Sequence, residues 1–209
     1  WPTTPIEVDE LVLDGTVSPR TVRRYSQETA EEVFVDLVLE KIGEGPLVIS
    51  GDAEARYRTM GALSEIHSLT VIADHQAFQY AEVYRQYGLS LPSTFLSADS
   101  EEGKAAMEND NYLFFRSKNS RSQYDRAANY INLIPFYTSS RKPLIELAPN
   151  SFEVGISNHA DFDQTLEYVK ASGASRVLVD HARGRRAVEL ALAIVDRLAI
   201  KDVDYFVAP

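Results

Sequence analysis

The chain has 209 residues, 44% of them hydrophobic and 25% charged, enough apolar mass for one domain or two small ones. It contains no cysteine, which excludes disulfides and thiolate metal sites and leaves any metal to histidine and carboxylate. The net charge of −10 argues against uniform attraction to nucleic acid, and no apolar run reaches the roughly 20 residues that a membrane helix needs. The chain opens on Trp1 without a secretory n-region or h-region. The expectation is a cytoplasmic protein, trimmed at its start or numbered from inside a longer one.

Helix and strand patterns alternate almost throughout, which predicts an α/β fold. Residues 10–14 (ELVLD) read as a short strand. Ser26 then caps a helix whose apolar positions Ala30, Val33, Phe34, Leu37 and Val38 follow helical spacing, and Gly43, Gly45 and Pro46 end it. A strand at 47–50, a helix at 54–67, a strand at 69–73 and a helix at 76–87 come next, a run that predicts parallel strands joined by right-handed crossovers. The pattern weakens over 89–110, which reads as a loop with a helix at 100–108. Strands are expected at 112–116, 130–137 and 152–157, a helix at 161–171, a strand at 177–180, a long amphipathic helix at 184–198 and a last strand at 203–207.

Candidate chemistry gathers where strands end, the place at which α/β proteins present functional groups. Asp14 ends ELVLD, His159 follows FEVGIS, and His181 follows VLVD. If their strands are neighbours, the three side chains converge. His67 and His75 instead read as helix-end residues, with Asp74 or its neighbour as a cap. Arginines are bunched: Arg20, Arg23 and Arg24; Arg116 with Lys118, Arg121 and Arg126; Arg183, Arg185 and Arg186. The last group opens a helix, where positive charge opposes the helix dipole, a placement that suits a docked anion. A solvated surface on an acidic protein accounts for the clusters equally well.

The segment Ser157-Asn158-His159-Ala160-Asp161-Phe162 resembles the S-A-H-A-D-Y/F motif of β-CASP metallo-β-lactamase-type nucleases, the family of RNase J, Artemis and the endonuclease of pre-mRNA 3′-end processing. Upstream, DELVLDGT is similar to the family strand that ends in an acidic residue. VISGDAEARYRTM is similar to the strand–loop–helix that opens the inserted β-CASP domain, with Ala53 and Arg56 matching. SRVLVDH and RGRRAVELALAIVDRL follow in the family's order. The chain departs from the family at Val17-Ser18, where Tyr-Gly is usual, at Ala55 in place of glycine, and at Ala182-Arg183 in place of Gly-Glu.

The resemblance implies an α/β architecture in which a Rossmann-like β-CASP domain (45–144) is inserted in the C-terminal half of a metallo-β-lactamase (αββα) fold, flanked by 1–44 and 145–209. It implies a zinc-dependent nuclease acting on RNA more than DNA, with a homodimer as the candidate assembly and no membrane partner. His159 would be the general acid, Asp14 its orienting carboxylate and His181 a metal ligand. Arg20, Arg23, Arg24, Arg56, Arg183, Arg185 and Arg186 would bind nucleic acid. The family's H-x-H-x-D-H metal motif has no counterpart in the chain, so the two zinc ions of the family site are not expected to be held by this chain alone. Two rival readings are a non-catalytic nucleic-acid-binding or scaffold homologue, and an unrelated α/β phosphate-ester or nucleotide-binding protein. The absence of both G-x-G-x-x-G and a P-loop weighs against the second rival.

Overall fold

The computed structural model describes residues 4–15, 26–117, 129–134, 142–157, 159–181 and 186–207. Its contacts divide the chain into two compact units: 1–24 with 159–209, and 25–158. One unit is thus inserted in the other, at 24/25 and 158/159, outside the boundaries of 44/45 and 144/145 expected from sequence.

The larger unit is built on a seven-stranded sheet. Its strands are β2 (Leu47–Gly51), β3 (Thr70–Ala73), β4 (Thr94–Ser97), β5 (Leu113–Arg116), β6 (Asn129–Ile134), β7 (Leu144–Ala148) and β8 (Ser151–Gly155), in spatial order β4-β3-β5-β2-β6-β8-β7. All pairings are parallel except β7 with β8. Helix α1 (Gln27–Lys41) is followed by a 3-10 turn (Ile42–Glu44), then α2 (Ala53–Ala62), α3 (His75–Gln86) and α4 (Glu101–Ala106) between strands. Alternate strand residues face opposite sides, so the two faces have separate cores. Leu47, Ile49, Val71, Leu113, Phe115, Ile131 and Leu133 pack with Phe34, Leu37 and Val38 of α1 and with Tyr57 and Met60 of α2. Val48, Ile72, Phe114 and Tyr112 pack on the other face with Ala106 and Met107.

Helix α1 explains why the insertion begins earlier than expected. Its buried stripe of Ala30, Phe34, Leu37 and Val38 shares a core with Phe152 and Val154 of β8, and β8 is hydrogen-bonded to β6. Neither α1 nor β7–β8 therefore belongs with the smaller unit. Ser26 caps α1 as its sequence predicts, accepting from the Thr29 amide at 3.1 Å.

The expected helix over 54–67 stops at Ala62, where the Ser64 amide turns back to Gly61 O and Ile66 to Leu63 O. Two strands escape the sequence pattern. β4 and β7 lie at the sheet's edges and are mostly half-exposed or exposed, so neither carries the apolar run of a central strand. Consecutive β2 and β3 are not neighbours, because β5 lies between them.

The smaller unit holds a three-stranded parallel sheet, β1 (Glu10–Asp14), β9 (Arg176–His181) and β10 (Asp202–Val207), in the order β1-β9-β10. Helices α5 (Phe162–Ser172) and α6 (Arg186–Leu198) share its core: Phe162, Leu166 and Val169 pack with Val177, Val179, Leu190 and Ile194.

Gly51, at the end of β2, has φ +151°, and a Cβ there would lie 2.6 Å from Leu133 O of the neighbouring β6. Gly51→Ala should lower the unfolding free energy by roughly 2 kcal/mol, because both the conformation and the space demand glycine. Gly43, with nothing within 4 Å of a built Cβ, is the control and should tolerate alanine. Urea midpoints at unchanged slope provide the measurement.

Candidate functional site

The site grows out of the parallel pairing of β1 with β9. Their register sets Glu10 against Arg176, Val12 against Leu178 and Asp14 against Asp180. Leu11, Leu13, Val177 and Val179 point into the core, so the alternate set lies on the open face. Val12 is 67% exposed there and Leu178 36%. At the N-terminal edge of this face Arg176 bonds Glu10 at 3.1 Å and lies 3.8 Å from Asp202, raising the arginine pKa through the Glu10 hydrogen bond first. At the C-terminal edge stand the carboxylates of Asp14 and Asp180, residue against residue.

The Asp14 end is held tightly. The Gly15 amide donates to Asp180 O at 2.9 Å, and a Cβ at Gly15 would lie 2.9 Å from Val179 Cγ1 and 3.1 Å from Ala187 Cα. Glycine after Asp14 is therefore a packing requirement between β9 and α6.

His159 arrives on a different element. It follows β8, a strand of the seven-stranded sheet, so of the three candidate strands only β1 and β9 are neighbours. The turn that carries it is fixed by the residues after it. Asp161 caps α5, accepting from the Gln164 amide at 2.8 Å, while Gln164 Oε1 accepts from the Asp161 amide at 3.0 Å, a complete capping box. Phe162 is 4% exposed and lies in the smaller unit's core, under the Arg197 guanidinium. Ser157 is buried as well. In Ser157-Asn158-His159-Ala160-Asp161-Phe162, then, the Asp and the Phe have structural work, and both anchor the histidine.

The outcome is a contact between His159 and Asp14. His159 Nδ1 lies 3.9 Å from Asp14 Oδ2, with the two side chains 39% and 58% exposed. This is ion-pair distance, and slightly too long for a direct hydrogen bond. A carboxylate beside Nδ1 favours the tautomer that carries its proton there, the role of an orienting group for a general acid or base.

His181 is the last residue of β9, opposite Val207 of β10 and one position beyond Asp180. Its backbone thus stands at the same sheet edge as Asp14. Arg186 opens α6. Arg20, Arg23, Arg24, Arg183 and Arg185, together with Asn158, lie outside the described residues. Arg56 is only 3% exposed, buried in α2, and is not presented on a surface as a polymer contact would be. His67 lies beyond the end of α2 and His75 pairs with Asp99 at 3.2 Å on the surface, while Asp74 caps α3 from a buried position.

Among the described residues no three His, Cys, Asp or Glu side chains come together in a way that could hold a metal ion. A catalytic zinc needs three protein ligands, so these residues do not by themselves fit one. No helix among the described residues is long and apolar enough to cross a membrane.

Sequence reasoning missed Asp180. The signal was present, since ELVLD and RVLVD are similar strands that each end in aspartate. Their pairing in register is what brings the two acids together.

No protein-family profile matches the chain, and no curated protein does. Among solved structures, chloroplast FtsY from Physcomitrella patens is similar at 14% identity with a TM-score of 0.27, over 75% of this chain and 56% of that one. Likeness at that level carries no argument about fold or function.

Facing like charges on adjacent strands destabilise a sheet by roughly 0.2–1 kcal/mol. Asp180→Asn is therefore expected to stabilise the protein at neutral pH by a few tenths of a kcal/mol and by less in an Asp14→Asn background. A double-mutant cycle of denaturant midpoints measures the coupling.

Proposed function

We propose that this chain is part of a zinc-dependent nuclease of β-CASP type that hydrolyses phosphodiesters, of RNA more than DNA. The contact between His159 and Asp14 carries the reading, together with the S-x-H-A-D sequence around it. Hydrolysis of a phosphodiester expels an alkoxide that must gain a proton. A histidine oriented by a carboxylate can supply one as general acid, a contribution of about 10²–10⁴ in rate. In this reading His159 protonates the leaving oxygen and Asp14 orients its ring. When bound, zinc would supply the hydroxide nucleophile and hold negative charge on the phosphoryl oxygens. His181 would be this chain's ligand to it, the others coming from elsewhere in the complete protein. Arg183, Arg185 and Arg186, around the start of α6, would hold the phosphate backbone, aided by Arg20, Arg23 and Arg24.

In the complete protein, His159→Ala should reduce kcat on nucleic acid by about 10²–10⁴ with substrate affinity little changed. Asp14→Asn should have a smaller effect of the same kind, because the ring remains. Steady-state cleavage and direct binding, measured side by side, separate the two quantities. Loss of binding in His159→Ala with an unaltered chemical step would remove the histidine from this role. The absence of cleavage in the complete wild-type protein would instead support a non-catalytic homologue.

The triple substitution Arg183→Ala, Arg185→Ala, Arg186→Ala should weaken nucleic-acid binding regardless of sequence. Its log-affinity against log-salt slope should flatten by about one unit per lost phosphate contact. Stability should hold or rise by about 0.3–1 kcal/mol, since positive charge at a helix start opposes the dipole. Affinity titrations at several salt concentrations decide, and an unchanged slope would assign these arginines to a solvated face.

A further inference from the structure

Helix α3 turns its large apolar residues outward. Its fully buried positions are the small Ala77 and Ala81, while Tyr80, Val83, Tyr84 and Tyr87 are 49%, 49%, 39% and 72% exposed. Those four follow the i, i+3, i+4, i+7 spacing of a single helical stripe, the pattern that ordinarily faces a core. The helix is attached to its unit by other contacts. Phe78 stacks on Phe95 of β4 with ring centroids 5.1 Å apart, and Asp74 caps the first turn. Tyr84 stacks at 4.5 Å on the buried ring of Tyr57 in α2, which fixes one border of the stripe.

The stripe lies in a setting without charge. The other exposed residues beside it on α3 are Gln76, Gln79 and Gln86. Helical geometry puts Glu82 and Arg85 on the side away from the stripe, where they pair with each other, and His75 pairs with Asp99. The chain has a net charge of −10 with 25% of its residues charged, yet this helical face carries none of that charge. It therefore offers nothing to a phosphate backbone or to an anionic lipid surface. Two copies of so acidic a chain repel one another over most of their surfaces, and an uncharged face is where that repulsion is least.

The order of side chains points to the same occupant. About a point between Val83 and Tyr84 the stripe mirrors itself, Tyr80 with Tyr87 and Val83 with Tyr84. Two copies of α3 crossing antiparallel on a two-fold axis through that point set Tyr80 of each beside Tyr87 of the other. A two-fold contact uses the same patch twice and so requires this self-complementarity. Tyrosine is also enriched where protein surfaces meet. The stripe exposes roughly 400 Å² per copy, taking about 200 Å² for a whole tyrosine side chain. That is near half of the ~800 Å² that a standard interface buries on each partner, so the contact is a weak one.

We infer that the stripe of Tyr80, Val83, Tyr84 and Tyr87 is the surface on which two copies of this chain associate. The inference stands on the larger unit alone, does not depend on the nuclease reading, and is read by mass and not by cleavage.

The test follows the complete protein by analytical ultracentrifugation from about 1 μM to about 1 mM at physiological salt, with melting temperature as the check on folding. The wild type should pass from monomer to dimer within that range. Val83→Glu and Val83→Lys each place a like charge beside the axis and should weaken association by about tenfold or more. An equimolar mixture of the two variants should recover the dimer that neither forms alone. Leu192→Glu, at a 59% exposed position of α6 in the smaller unit, should associate as the wild type does. Tetranitromethane should nitrate Tyr87 in the dilute monomer and much less in the concentrated dimer. A wild type that stays monomeric throughout, or a dimer that Val83→Glu leaves intact, would overturn the inference. So would Tyr87 that resists nitration in the dilute monomer, which would assign the stripe to another segment of the same chain.

Discussion

The parallel pairing of β1 with β9 is the constraint on which the smaller unit and its candidate site depend. It joins Glu10 to Arg176 across 166 positions of sequence and so requires the intervening unit to leave and return. It also sets Asp14 against Asp180 and brings His181 to the same sheet edge. Closing so large a loop is costly in entropy, but the cost grows only logarithmically with length. The in-register β-branched and leucine side chains of both strands, buried against α5 and α6, offset it.

Much of this architecture is legible in the residues. ELVLD and RVLVDH alternate between a core set and an open set, and the structure buries Leu11, Leu13, Val177 and Val179 accordingly. The spacing of Ala30, Phe34, Leu37 and Val38 marks the inward face of α1, and Ser26 marks its start. What local pattern cannot carry is non-local partnership. Nothing within β7 says that it runs antiparallel on an edge, and nothing within β5 says that it separates β2 from β3. The insertion boundary shifted for the same reason, since α1 is assigned by what Phe34 touches, not by its own sequence.

The candidate site divides along similar lines. The position of His159 before a helix is readable from Asp161 and Gln164, a capping box spelled out in sequence. Its approach to Asp14 is expected from the shared strand-end positions together with the resemblance, although β8 belongs to a different sheet from β1. Arg56 stands out in sequence only through the resemblance, and its burial, with Nε and Nη1 left without hydrogen-bond partners, emerges only from packing. An acidic chain can therefore hold its positive charge at a few specific points, where desolvation makes each one matter more than its share of the net charge.

The central claim is that His159 delivers a proton to a departing oxygen. A general acid matters in proportion to the basicity of its leaving group. The decisive measurement compares wild-type complete protein with His159→Ala on two phosphodiesters, one releasing a ribose alkoxide and the other nitrophenolate. The account predicts a large loss on the first substrate and a loss of less than about tenfold on the second, which leaves without assistance. An equal loss on both would contradict it, and would place His159 in binding or in holding the fold.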